Sequence, residues 1–106
     1  MVNSDLVIKE FKEAVTKLYG NRLDRIILYG SRARGDHRED SDFDFAVVLK
    51  DEKVNAFKEI EQITDAVFPF VLKLGAEISY KPMNNFLLNQ PDKVFYHFVR
   101  TEGVSV

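Results

Sequence analysis

Apolar residues recur at helical spacing over the first twenty positions of the chain. The intervals of three, four and one residues are those of a helix with one buried face, and the residues are Ile8, Phe11, Val15, Leu18 and Tyr19. Asn3 or Ser4 can cap the start of such a helix, and Gly20 fits its end. The pattern therefore predicts an amphipathic first helix.

Two short apolar runs follow, and their composition predicts strands. Arg25–Tyr29 is typical of a short buried strand, and Phe43–Leu49 is apolar on both faces, which indicates a central strand. Between them, the Gly30–Ser31 pair turns the chain and residues 32–35 can form one helical turn. Residues 36–41 are polar and charged, which favours a loop.

The second half of the chain again alternates helix and strand. Apolar residues over 54–68 follow the helical period, and Pro69 is expected to kink or end that helix. A third short strand is predicted over Ala76–Tyr80, stopping at Pro82. Lys93–Glu102 then reads as a last amphipathic helix.

The element order predicts one α/β (α+β) domain over residues 1–106, with a small mixed three- to four-stranded sheet and helices packed on one face. No cysteine is present, so disulfides and thiolate metal sites are excluded. No apolar run approaches the ~20 residues of a transmembrane helix, and the first residues lack a signal-peptide pattern. We therefore expect a cytoplasmic protein. The net charge of −2 gives no general attraction to nucleic acid.

Two carboxylates close together are the first candidate chemistry. Residues i and i+2 of a strand point to the same face, so Asp42 and Asp44 are expected to project side by side. Adjacent carboxylates are costly unless a cation lies between them, and Mg²⁺ prefers oxygen ligands. The preceding Gly30–Ser31 corner offers backbone N–H groups and a hydroxyl to a phosphate chain. Together these features suggest a metal-dependent site for a nucleoside triphosphate. The alternative for the pair is a solvated turn beside Glu39 and Asp40.

The arrangement Gly30-Ser31, ten residues, then Asp42-x-Asp44 resembles the signature of the DNA polymerase β-like nucleotidyltransferase superfamily. The segment Gly-Ser-Arg-Ala-Arg-Gly at residues 30–35 is similar to the corresponding segment of the minimal nucleotidyltransferase branch of this superfamily. The resemblance implies that Asp42 and Asp44 bind two Mg²⁺ ions and that ATP is the substrate. It also implies a third carboxylate on an adjacent strand. Glu77 is the only acid in the predicted third strand, so the resemblance assigns it as metal ligand or general base, although the family more often has Asp there. The alternative for Glu77 is an exposed residue on an edge strand.

The same resemblance implies which residues contact the phosphates. Gly30 leaves room for a phosphate to approach the backbone, and the Ser31 hydroxyl is expected to bind a phosphate oxygen. Arg32 and Arg34 lie where the family commonly places arginine, whose fork suits phosphate. Surface arginines on a helical turn are also common, so a purely structural place for either residue stays open.

Stand-alone members of this branch pair with a HEPN-domain protein, which is a ribonuclease toxin. The resemblance implies that the chain is an antitoxin that transfers AMP from ATP to a hydroxyl, namely a tyrosine of that partner, and releases pyrophosphate. Two alternatives stay open: a non-catalytic antitoxin that binds its partner, and adenylyl transfer to a small molecule such as an antibiotic. Whether the chain also forms a homo-oligomer is open at this point.

Overall fold

A four-stranded mixed sheet and five helices make up residues 3–106, the part of the chain that the computed structural model describes. In chain order the elements are α1 (Ser4–Tyr19), β1 (Leu23–Tyr29), α2 (Ser31–Arg34), β2 (Phe43–Leu49), α3 (Ala56–Leu74), β3 (Ile78–Asn84), α4 (Asn85–Leu88), α5 (Val94–Glu102) and β4 (Val104–Ser105), with a 3₁₀ turn at Gly20–Arg22. The strand order is β3-β2-β1-β4. Strand β2 pairs antiparallel with β1 and parallel with β3. The predicted α/β class with a small mixed sheet is confirmed.

Helix α1 begins and ends as its sequence predicts. The side chain of Asn3 accepts a hydrogen bond from the backbone N–H of Leu6 at 3.2 Å and so caps the helix. Gly20 follows the last turn with φ 54°. The buried face consists of Val7, Phe11, Val15 and Tyr19.

The apolar residues on both faces of β2 create two cores. Phe43, Phe45, Val47 and Leu49 contribute to the larger core, together with residues of α1 and α3. The alternate residues Ala46 and Val48 pack on the opposite face with Leu88 of α4 and Val99 of α5. The two long helices therefore lie on one face as predicted, while the short C-terminal helices also cover part of the other. Among residues 3–106, no helix has the length and apolarity needed to cross a membrane.

Two elements continue past a proline at which the sequence suggested an end. Helix α3 does not end at Pro69 but continues to Leu74, because half-buried Phe70 and Val71 pack on the larger core beyond the proline. Strand β3 likewise includes Pro82 and lies two to four residues later than predicted. It is an edge strand, where a missing N–H donor is tolerated.

Candidate active site

The corner between β1 and α2 is built on Gly30. Its φ of 76° and ψ of −158° lie in a region that residues with a side chain almost never adopt. A Cβ at this position would come within 2.5 Å of Oδ2 of Asp44. The sequence suggested that a glycine here makes room for phosphate. The structure adds that it makes room for a carboxylate of the chain itself.

Asp42 and Asp44 are brought together at the start of β2. Asp42 directly precedes the strand, and Asp44 pairs with Tyr29 of the neighbouring strand. Asp44 is half-buried, and this burial raises the pKa of its carboxyl; the negative charge of Asp42 adds to the effect and Arg34 opposes it. Two repelling carboxylates, of which Asp44 is partly desolvated and Asp42 is exposed, favour a bound cation, and their oxygen donors fit Mg²⁺.

An aromatic cleft of about 360 Å³ adjoins Gly30, the residue against which Asp44 lies. It is lined by Tyr29, Gly30, Arg34, Phe95, Phe98 and Glu102. The ring of Phe95 meets that of Tyr29 edge-on at 5.5 Å, and Lys81 Nζ lies 4.3 Å from the Phe95 ring centroid. Burial, and then the charge of Asp44, raises the pKa of Tyr29 to about 12, so its hydroxyl is protonated at neutral pH.

The sequence analysis did not single out these aromatic residues as part of a site. A signal was present, since Phe95 and Phe98 are three residues apart on the last helix and therefore share one face.

Arg34 lines the same cleft and is paired with acids at its edge. Its guanidinium donates to Asp36 at 3.3 Å and to Glu102 at 3.2 Å, and these hydrogen bonds raise its pKa. Its side chain is 44% exposed, so it is accessible to a ligand in the cleft.

Arg32 makes different contacts, although only one residue separates it from Arg34. Its guanidinium donates to the backbone carbonyls of Glu39 and Ser41 at 3.0 Å or less, and to Oγ of Ser4 at 2.9 Å. It lies 3.9 Å from the centroid of the Phe43 ring. The structure therefore places Arg32 against the loop before β2 and does not place it in the aromatic cleft.

Glu77 lies directly before β3 and is exposed. Its backbone carbonyl accepts a hydrogen bond from Phe43 N–H at 2.9 Å, and the parallel pairing of Phe43 with Ile78 brings the backbone of Glu77 next to the residues that enter β2. Its side chain lines a smaller cleft of about 130 Å³, together with Arg32 and Ser41. Within residues 3–106, no group of three His, Cys, Asp or Glu side chains is arranged to hold a metal. The structure thus joins the two aspartates and leaves Glu77 outside their cluster.

Comparison with known sequences identifies relatives over most of the chain. The profile of the nucleotidyltransferase domain family matches residues 8–100. A candidate protein adenylyltransferase of Methanocaldococcus jannaschii, MJ0141, is 38% identical over 73 residues, which are 69% of this chain and 72% of that protein. Protein adenylyltransferase MntA of Aphanizomenon flos-aquae is 33% identical over 81 residues, 76% of this chain. The match spans 54% of MntA, about half of that protein.

Solved structures share the fold at lower identity. A candidate nucleotidyltransferase of Sulfolobus solfataricus superimposes with a TM-score of 0.64 and 21% identity, over 95% of this chain and 79% of that one. A toxin–antitoxin structure with AMP-PNP gives a TM-score of 0.61 and 21% identity, over 98% of this chain and 72% of the matched one. With the profile match and the sequence relatives, the family resemblance noted from the motif is confirmed. The chain belongs to the nucleotidyltransferase domain family and is a nucleotidyltransferase.

Proposed function

We propose that this protein is an antitoxin that transfers AMP from ATP to a hydroxyl of a partner protein. The observation that carries the proposal is the Asp42–Asp44 pair, in which Asp44 lies against the Gly30 corner and has a raised carboxyl pKa. Relatives named as protein adenylyltransferases support AMP as the group transferred and a protein as its acceptor. A similar fold in a toxin–antitoxin structure with AMP-PNP supports the nucleotide and a toxin partner. We identify the partner with a HEPN-domain protein and the acceptor with one of its tyrosines.

The nucleotide binds between the acidic pair and the aromatic cleft in this proposal. Asp42 and Asp44 would hold Mg²⁺, which would supply positive charge against the triphosphate. The backbone at Gly30 and the hydroxyl of Ser31 contact phosphate oxygens at the start of α2. Arg34 contributes a positive charge on the same side.

The nucleoside lies in the cleft formed by Tyr29, Phe95 and Phe98. The volume of this cleft is in the range of small-molecule sites, and its aromatic walls suit a flat base. Phe98 is 49% exposed, so its ring has a free side on which a base can stack.

The chemical step transfers the α-phosphoryl group with its attached nucleoside. The acceptor hydroxyl oxygen forms a bond to the α-phosphorus, and the bond from that phosphorus to the bridging oxygen of the β-phosphate breaks. Pyrophosphate leaves with that oxygen, and the hydroxyl proton passes to Glu77 as general base. The exposed position of Glu77, directly before the strand that pairs with β2, leaves it accessible to a hydroxyl brought by a partner.

Co-expression of the chain with the product of the adjacent gene tests the function. The purified complex is incubated with α-labelled ATP, with Mg²⁺ or with EDTA, and analysed by mass spectrometry. We expect an added AMP on a tyrosine of the partner, in Mg²⁺ only and not with Asp44→Asn. Asp65→Asn, which changes an exposed acid on α3, is the matched control and keeps the label.

Three outcomes would contradict the proposal. Labelling that persists in EDTA would show that the transfer does not require a metal ion. A stable complex without label indicates a non-catalytic antitoxin. Label that appears only on an added small molecule, such as an aminoglycoside-type antibiotic, indicates adenylyl transfer to a small molecule.

A further inference from the structure

The loop that leads into Asp42 is closed on itself by a tight turn. The backbone N–H of Arg38 donates to Oγ of Ser41 at 2.8 Å, and the N–H of Ser41 donates to the carbonyl of Arg38 at 3.1 Å. Ser41 is therefore fixed by both its side chain and its backbone. Since Asp42 is the next residue, its carboxylate depends on where this turn is held.

The side chain of Arg32 connects the turn to the rest of the protein. Arg32 donates from Nε at 3.0 Å and from Nη2 at 2.9 Å to the carbonyl of Ser41. Nη2 also donates to the carbonyls of Glu39 at 3.0 Å and Arg38 at 3.5 Å. Three carbonyls of the turn thus converge on a single guanidinium.

Arg32 is itself anchored on two sides. Nη1 donates to Oγ of Ser4 in α1 at 2.9 Å. The guanidinium lies 3.9 Å from the centroid of the Phe43 ring, and Phe43 is 1% exposed. The turn is therefore connected through Arg32 to the first helix and to the larger core.

We propose that Arg32 is a positioning residue, which holds the 38–41 turn so that the Asp42 carboxylate lies beside Asp44. The inference rests on the proposed function, because Asp42 is an acid of that site. It also replaces the expectation that Arg32 binds a phosphate. An arginine has five N–H donors, and here Nε, Nη1 and Nη2 all donate to the protein itself. A two-pronged phosphate contact needs donors that are already engaged.

Lysine in place of Arg32 separates positioning from phosphate binding. A lysine keeps the charge and can still attract a phosphate, but its compact ammonium cannot reach the carbonyls of Glu39 and Ser41 together with Ser4 Oγ. If Arg32 positions the loop, Arg32→Lys behaves like Arg32→Gln. If Arg32 binds phosphate, Arg32→Lys retains most of the activity that Arg32→Gln loses.

The first measurement is amide hydrogen exchange in metal-free and nucleotide-free protein. In Arg32→Lys and Arg32→Gln, the amides of residues 37–42 should exchange at least about tenfold faster, while those inside β2 keep their protection. Arg38→Lys is the control, because it changes an exposed side chain of the same turn and leaves the backbone contacts with Arg32 in place.

The second measurement is the dependence of the transfer rate on Mg²⁺ and ATP. A loosened Asp42 weakens the metal site, so Arg32→Lys should raise the Mg²⁺ concentration at half-maximal rate by about 10-fold. The KM for ATP at saturating Mg²⁺ should stay within about twofold of the wild-type value, since no phosphate contact is lost.

The outcomes distinguish this inference from the proposed function. Unchanged exchange over residues 37–42 with a raised KM for ATP would overturn the inference and indicate that Arg32 binds the nucleotide. Faster exchange in the Arg32 variants, with Asp42→Asn still fully active, would uphold the positioning role of Arg32 and reject the proposed site. Should both Arg32 variants fail to fold, Ser4→Ala removes the Nη1 contact alone. We then expect a smaller acceleration in the same amides, and its absence overturns the inference.

Discussion

The carboxylate of Asp44 lies against the backbone of Gly30, so that a Cβ on residue 30 would be 2.5 Å from Oδ2. The Gly30→Ala variant should therefore lose transfer activity, because the added methyl group displaces an acid of the candidate site. It should also lose about 1–3 kcal/mol of unfolding free energy, since alanine is strained at this φ and ψ. Denaturant unfolding and the labelling assay measure the two effects.

Gly35→Ala is the matched control for backbone strain. Gly35 has φ 86°, and no atom lies within 4 Å of a Cβ built there. We expect a destabilisation of about 1–2 kcal/mol with activity retained. Equal activity in the two alanine variants would show that the contact between residues 30 and 44 does not matter to catalysis.

Asp42→Asn and Asp44→Asn should each abolish transfer and leave the free energy of unfolding unchanged or slightly higher at pH 7 in EDTA. Neutralising one acid relieves the repulsion that contributes to the raised Asp44 pKa. Thermal unfolding together with the labelling assay tests both parts. Near-normal activity in either variant would reject the metal assignment, and a clear loss of stability would indicate a structural acid instead.

Glu77→Gln should lower kcat by about 10²-fold or more and leave the KM for ATP nearly unchanged, if the carboxylate accepts the hydroxyl proton. Its exposed position outside the aspartate cluster supports a contact with the acceptor over one with the nucleotide. Steady-state kinetics with the partner as acceptor make the measurement. Glu61→Gln, an exposed acid on α3, serves as control. An effect confined to KM would assign Glu77 to nucleotide binding.

Phe98→Ala should raise the KM for ATP about tenfold, the loss expected when one aromatic ring no longer stacks on a base. The ring lines the cleft beside Gly30 and is 49% exposed. Phe57→Ala removes a ring that is 91% exposed on α3, and it should leave KM unchanged. Binding of a fluorescent ATP analogue follows both variants. Equal affinities would place the nucleoside elsewhere.

The pair formed by Arg22 and Asp51 should make stability depend on acid pH. Arg22 Nη2 donates to Asp51 Oδ2 at 3.0 Å, and this contact lowers the pKa of Asp51. A lowered carboxyl pKa contributes stability above the unfolded value of about 3.9 and loses it as the pH falls through the folded value. Wild type should therefore have a higher Tm than Asp51→Asn at pH 6, and the difference should shrink below pH ~4.

Asp92→Asn controls for the change in net charge, because Asp92 is exposed in the turn before α5. A Tm difference for Asp51→Asn that persists undiminished at the lowest pH would contradict the assignment to this ion pair.

The elements with strong local signals could be predicted from the sequence. The helical spacing of apolar residues in α1, with its capping residue, and the apolar run of β2 predict the positions of both elements closely. Each pattern depends only on residues that are neighbours in the sequence. Strand β4 was not predicted. It is two residues long, and it exists because Val104 pairs with Leu28 of β1. No local pattern encodes such a pairing.

The candidate site divides in the same way. The closeness of Asp42 to Asp44 followed from strand periodicity alone. The different surroundings of Arg32 and Arg34 did not, because both lie on one helical turn and the sequence does not tell which acceptors each side chain meets. Tertiary contacts decide it: Arg32 meets backbone carbonyls, and Arg34 meets the carboxylates of Asp36 and Glu102.

The two pairings of β2 also differ in how far apart along the chain their partners lie. Its antiparallel pairing with β1 joins Tyr29 to Asp44, which are close in sequence, so the corner and both aspartates form within one local hairpin. Its parallel pairing with β3 requires the whole of α3 as a crossover before Glu77 can reach the residues that enter β2. A contact between residues that are near in sequence forms with a smaller loss of chain entropy than a contact between distant residues. The acidic pair can therefore assemble early in folding, whereas the candidate base takes its position before β3 only when the crossover has docked.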